Sequence, residues 1–182
     1  MISHTVVSFD PFEYFFTIGA SVGALTSSLI FRQKVRPVLL FFLALFIAYF
    51  LTPTAVTLPL WALLDTYTAF IVLLTAIFFK RKLYNLTKGR FSLLLSALIG
   101  LEADILFRLF LFVPLGTYNW LYDFSIDFVE SVWVISSFIT PIQVSVALFT
   151  TSLIGGLLLK VSRYLDLVRR CSRLFPIFQL TK

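Results

Sequence analysis

Gly100-Leu101-Glu102-Ala103-Asp104-Ile105-Leu106-Phe107-Arg108 carries three ionisable side chains inside a run, residues 91–113, that is otherwise apolar and long enough to cross a bilayer. A helix needs roughly 20 apolar residues to span a hydrocarbon core. A charge at that depth costs roughly 2.5–3.5 kcal/mol on insertion scales, so it persists where it is paired or faces a polar cavity. Asp104 and Arg108 stand four apart and can pair along one helix face, as a structural ion pair. Glu102 projects from another side of the helix and needs a different partner.

Outward from this run the chain stays apolar. Its 182 residues are 59% hydrophobic and 13% charged, against about 45–50% and 25% in soluble domains. Further apolar runs lie at 13–31, 38–51, 60–79 and 142–159. They do not alternate as barrel strands would. The pattern predicts an all-α, polytopic integral membrane helix bundle. Residues 1–160 form one domain with five transmembrane helices, and residues 161–182 a basic amphipathic tail. Residues 124–140 are read as a partly inserted outer helix; if they crossed as well, the count would be six.

The charges set the orientation. Of fifteen Lys and Arg, all but Arg108 fall at 32–36, 80–90 and 160–182, while Asp10, Glu13, Asp123, Asp127 and Glu130 occupy the opposite ends of the runs. Basic loops stay on the cytoplasmic side. The expectation is a multi-pass cell-membrane protein with its N-terminus outside and its C-terminus inside. The basic excess is then a topology signal, and nucleic acid is not expected as a partner. The sequon Asn85-Leu86-Thr87 falls on the inner side and is discounted. In the tail, Val161, Tyr164, Leu165 and Val168 share a face opposite the arginines, which suits an anionic leaflet.

Within the first run, Gly19, Ala20, Gly23 and Ala24 form a double small-xxx-small pattern, which lets a second helix approach closely in lipid. That helix belongs either to this chain or to a docked partner. Two prolines and three threonines in residues 52–59 break the chain between the second and third runs. Pro141 suits the first turn of a last helix.

The chemistry on offer is narrow. His4 is the one histidine and Cys171 the one cysteine. A multi-histidine haem or copper site is excluded within this chain, and no P-loop or Ser–His pair is present. No enzymatic activity, cofactor or metal is expected. A binding pocket fits better. Glu102, Asp65, Glu130, Trp133, Asn119 and Gln143 gather toward the outer half, with Glu130, Trp133 and Ser137 at i, i+3 and i+7 on one face. A few polar groups among aromatic walls suit a small organic solute.

The run Ala97-Leu98-Ile99-Gly100-Leu101-Glu102-Ala103-Asp104-Ile105-Leu106-Phe107-Arg108, then Phe110-Leu111-Phe112-Val113-Pro114-Leu115-Gly116, resembles the membrane-embedded substrate-binding (S) components of energy-coupling factor transporters. So does the ending from Pro141-Ile142-Gln143 to Leu157-Leu158-Leu159-Lys160. Ala20 and Ala24 match the AxxxA spacing by which such components dock their coupling subunit, although this chain is read with five spans where that family has six. The resemblance implies capture of a vitamin-like nutrient from outside, with transport powered by separate ATPase and coupling subunits. The rival expectation is a non-catalytic structural subunit of a larger membrane complex.

Overall fold

The structure, a computed structural model, describes residues 11–78 and 90–174. His4, the sequon at Asn85 and most of the second basic cluster lie outside the described residues. The described chain is helical, with no strand among its residues. In order come α1 (Pro11–Phe31), α2 (Val35–Phe50), 3-10 turns at Pro53–Val56 and Leu60–Leu63, α3 (Leu64–Phe78), α4 (Arg90–Phe112), the single turn α5 (Thr117–Trp120) and α6 (Ile126–Leu174).

α1 ends in a Schellman-type turn. The Gln33 N–H donates to the Ile30 carbonyl at 2.8 Å and the Lys34 N–H to the Leu29 carbonyl at 2.8 Å, which satisfies two of the last carbonyls of the helix. Gln33 takes φ 62° to make this turn, a conformation that strains any residue with a Cβ. Gln33→Gly is expected to stabilise the protein by about 0.5–1 kcal/mol. Thermal melting in detergent checks this; an unchanged or lowered midpoint would show that the turn is not strained.

The basic turn is shorter than the sequence suggests. α2 begins at Val35 and carries Pro37 within its first turn, where a missing N–H costs nothing. α2 has 16 residues, about 24 Å at 1.5 Å per residue. Thr52 is extended and separates it from the 3-10 turn at Pro53–Val56, and the Thr52 hydroxyl donates to the Ala48 carbonyl at 2.8 Å, satisfying an acceptor freed where the helix ends.

α4 is the centre of the bundle, packing against α1, α2, α3 and α6. Ile99, Ala103 and Leu106 are fully buried on it and join Val38, Phe42, Phe46, Ala69 and Leu73 in one apolar core. A second core at the other end joins Tyr49, Leu58, Leu63, Leu109, Val113 and Val129. The closest contact is α1 on α4. A Cβ on Gly23 would lie 2.7 Å from the Gly100 carbonyl oxygen, and one on Gly100 would run into Ser27 Oγ. The Ser27 hydroxyl donates to the Ser96 carbonyl at 2.7 Å. Gly19, Gly23 and Ser27 thus face Arg108, Asp104, Gly100 and Ser96 in reverse order, every fourth residue on each side, and the two helices run antiparallel. The glycines are taken up inside the chain, while Ala20 is half-buried and Ala24 exposed.

α6 corrects the sequence reading. Residues 124–140 are not a separate outer helix, and Pro141 does not begin a new one. One helix of 49 residues runs from Ile126 to Leu174 with Pro141 inside it, about 73 Å long at 1.5 Å per residue. No turn separates the two stretches. Hydroxyls near the proline bond backward along the helix, Ser137 to the Val134 carbonyl at 2.6 Å and Thr140 to the Ser136 carbonyl at 2.6 Å. Neither bond reaches the Ser137 carbonyl, the acceptor that Pro141 deprives of its N–H. Residues 161–174 continue the same helix.

Leu60–Phe78 and Ile126–Leu158 are long and apolar enough to cross a membrane. α4 has the length, at 23 residues, but carries four ionisable side chains. Large apolar side chains stand exposed all round the bundle, among them Leu25, Leu40, Leu51, Phe78, Phe138, Ile142 and Phe149.

Candidate functional site

The 3-10 turn Leu60–Leu63, the start of α3, the second half of α4 and the first turns of α6 line an open cavity of about 210 Å³. Leu63, Ile105, Leu109, Phe112, Val132 and Trp133 make its apolar walls, and Asp65, Thr66, Arg108, Ser136 and Ser137 its polar points.

Asp65 lies in the first turn of α3, where the helix leaves N–H groups without intrahelical partners. Its Oδ1 accepts from the Thr66 N–H at 2.8 Å. The Thr66 hydroxyl reaches two carboxyl groups, 3.4 Å to Asp65 Oδ1 and 3.2 Å to Glu102 Oε2. A hydroxyl has one hydrogen, so it serves one carboxyl at a time. Thr66 is 0% and Glu102 1% exposed. Glu102 stands behind Thr66 and connects to the cavity through it.

Arg108 faces two ways. Its Nε and Nη2 each donate to one oxygen of Asp104 at 2.8 Å, the two-pronged geometry that makes such pairs strong. The Asp104 side chain is 18% and the Arg108 side chain 41% exposed. Gly19 leaves room for the pair, since a Cβ there would meet Asp104 Oδ1 and lie 3.1 Å from Arg108 Nε. The guanidinium also borders the cavity.

Trp133 stacks on Tyr49 with ring centroids 6.2 Å apart and planes 6° from parallel. The indole N–H of Trp133 is buried and has no hydrogen-bond partner among the described residues, and neither has the Tyr49 hydroxyl. Buried donors without acceptors are uncommon, and each calls for an explanation. At Trp133 the donor belongs to a side chain of the cavity wall.

Of the residues singled out in the sequence, Asp65 and Trp133 come together on the cavity, with Glu102 connected to them through Thr66. Asn119, Glu130 and Gln143 are exposed and do not line it. Sequence reasoning passed over Thr66, Tyr49 and Ser136, and treated Arg108 only as an ion-pair partner. Thr66 had one signal, a hydroxyl beside an acid in an apolar run. Tyr49 had none among so many aromatics. Among the described residues no group of three His, Cys, Asp or Glu side chains is placed to hold a metal ion.

No protein-family model, no curated protein and no solved structure matches this chain.

Proposed function

We propose that this is a polytopic membrane protein that captures a small organic solute in the cavity between α3, α4 and α6. The observation that carries the reading is a cavity in an apolar bundle lined by a carboxylate, a guanidinium and the Trp133 ring, whose buried N–H has no hydrogen-bond partner among the described residues. Sites of this composition hold small molecules, with the polar groups fixing orientation. The solute is largely apolar and carries both a hydrogen-bond acceptor for Trp133 or Arg108 and a donor for Asp65. With five crossings, basic loops inside and the N-terminus outside, the cavity opens on the outer half. Antiparallel α1 and α4 agree with that alternation. The chain has no nucleotide-binding motif, so transport requires separate ATPase and coupling subunits, the arrangement of the S components it resembles.

Mass spectrometry of the gently purified protein tests the proposal. A retained small molecule is expected, lost in Glu102→Ala. Trp133→Phe keeps the ring and removes the N–H, so affinity is expected to fall roughly fivefold to tenfold, the effect of one neutral hydrogen bond. A wild-type protein that holds no solute, or equal binding by Glu102→Ala, would overturn it.

A second reading, a structural subunit of a larger membrane complex, is favoured by α6. Phe138, Ile142, Val146, Phe149, Leu153 and Leu157 stand exposed along it. That reading predicts large subunits that co-purify and an empty cavity.

A further inference from the structure

The turn between α1 and α2 and the first turn of α2 hold three exposed cations in five residues, Arg32, Lys34 and Arg36. Beside it a groove of about 420 Å³ runs to the end of α3, lined by Gln33, Lys34, Val35, Arg36, Pro37 and Ile77. The lining has two characters. An ammonium, a guanidinium and an amide border it, and Val35, Pro37 and Ile77 supply apolar surface. Among the described residues no carboxylate pairs with Lys34 or Arg36. The groove also meets the start of α2, which no side chain caps. The Val35 and Arg36 N–H groups of that first turn add a partial positive charge.

We propose that this groove is a headgroup site for an anionic phospholipid. The phosphoryl oxygens sit on Lys34 and Arg36, and the glycerol–acyl junction rests on Pro37 and Ile77. Basic pockets between membrane helices on the cytoplasmic side recognise lipid headgroups by this combination. A free phosphate would satisfy the cations but leave the apolar half uncovered. A lipid covers both, and its chains find Leu40 and Phe78 exposed on the helices that flank the groove. The inference rests on the membrane placement proposed above.

Native mass spectrometry of the full chain, delipidated in mild detergent and titrated with phosphatidylglycerol or phosphatidylcholine, tests it. Wild type is expected to prefer phosphatidylglycerol. Lys34→Gln with Arg36→Gln should lower that affinity about thirtyfold, the effect of two surface cations, with phosphatidylcholine binding unchanged. Should that variant fail to fold, Lys34→Arg with Arg36→Lys keeps both charges and should keep the preference. Equal binding of the two lipids by wild type, undiminished binding by the Gln variant, or complete displacement of the lipid by millimolar inorganic phosphate would overturn the site. Alkaline carbonate extraction separates the two proposals. A chain released from membranes removes the membrane placement, whereas an embedded chain that binds both lipids alike removes only the headgroup site.

Discussion

Gly100→Ala is expected to destabilise the protein by about 1–3 kcal/mol, the usual cost of forcing extra volume into a packed contact. The added methyl would run into Ser27 Oγ and lie 2.7 Å from the Gly23 carbonyl oxygen. Ser27 can rotate away, at the expense of its hydrogen bond to Ser96. The Gly23 carbonyl is backbone and moves only if α1 moves. Combining Gly100→Ala with Ser27→Gly should therefore restore part of the loss and not all of it. Gly155→Ala is the contrast, because its Cβ would meet the end of the Leu93 side chain at 3.2 Å. That atom can yield, and alanine is worth up to about 1 kcal/mol over glycine in a helix. Melting followed by tryptophan fluorescence in detergent ranks the three variants. A Gly100→Ala protein that melts like wild type would mean that α1 does not press on α4 as described.

Thr66→Val is expected to cost about 1–3 kcal/mol, the penalty of stranding a buried polar group. Valine keeps the shape and removes the hydroxyl that reaches Glu102, leaving a carboxyl that is 1% exposed without its partner. Thr66→Ser, which retains the hydroxyl, should melt close to wild type. Adding Glu102→Leu to Thr66→Val should recover most of the loss, since replacing both partners by apolar groups can be nearly neutral. The same double variant should still fail to bind solute, which separates stability from recognition. Additive losses in the double variant would show that the two side chains do not interact.

Helix positions were legible where charge and length agreed. The run 91–113 with its paired Asp104 and Arg108 corresponds to Arg90–Phe112, joined by a salt bridge. Pro141 was read as a helix start because proline fits a first turn better than an interior. The residues on both sides of it are helical and carry one helix through the proline, and local propensity does not weigh that. At the site, sequence could place acids and aromatics on a helix but not say which helix faces them. Glu130 shares a helical face with Trp133, yet Trp133 turns in on Tyr49 while Glu130 stays outside. Thr66 lies between two carboxyls from different helices, a meeting that depends on how α3 leans on α4.

The proline in α6 also divides a rod into two arms. The carbonyl of Ser137 has no N–H from residue 141 to receive, so the rod is weakest beside the cavity wall that bears Trp133, Ser136 and Ser137. The arm beyond the joint is held where Gly155 lies close to Leu93. The arm before it spans residues 126–140, about 22 Å, and is held by Val129 in the second core and by Trp133 against Tyr49. The joint therefore lies between two held segments, about two turns from the Trp133 indole on the cavity wall, and any bend there must be shared with the packing on either side.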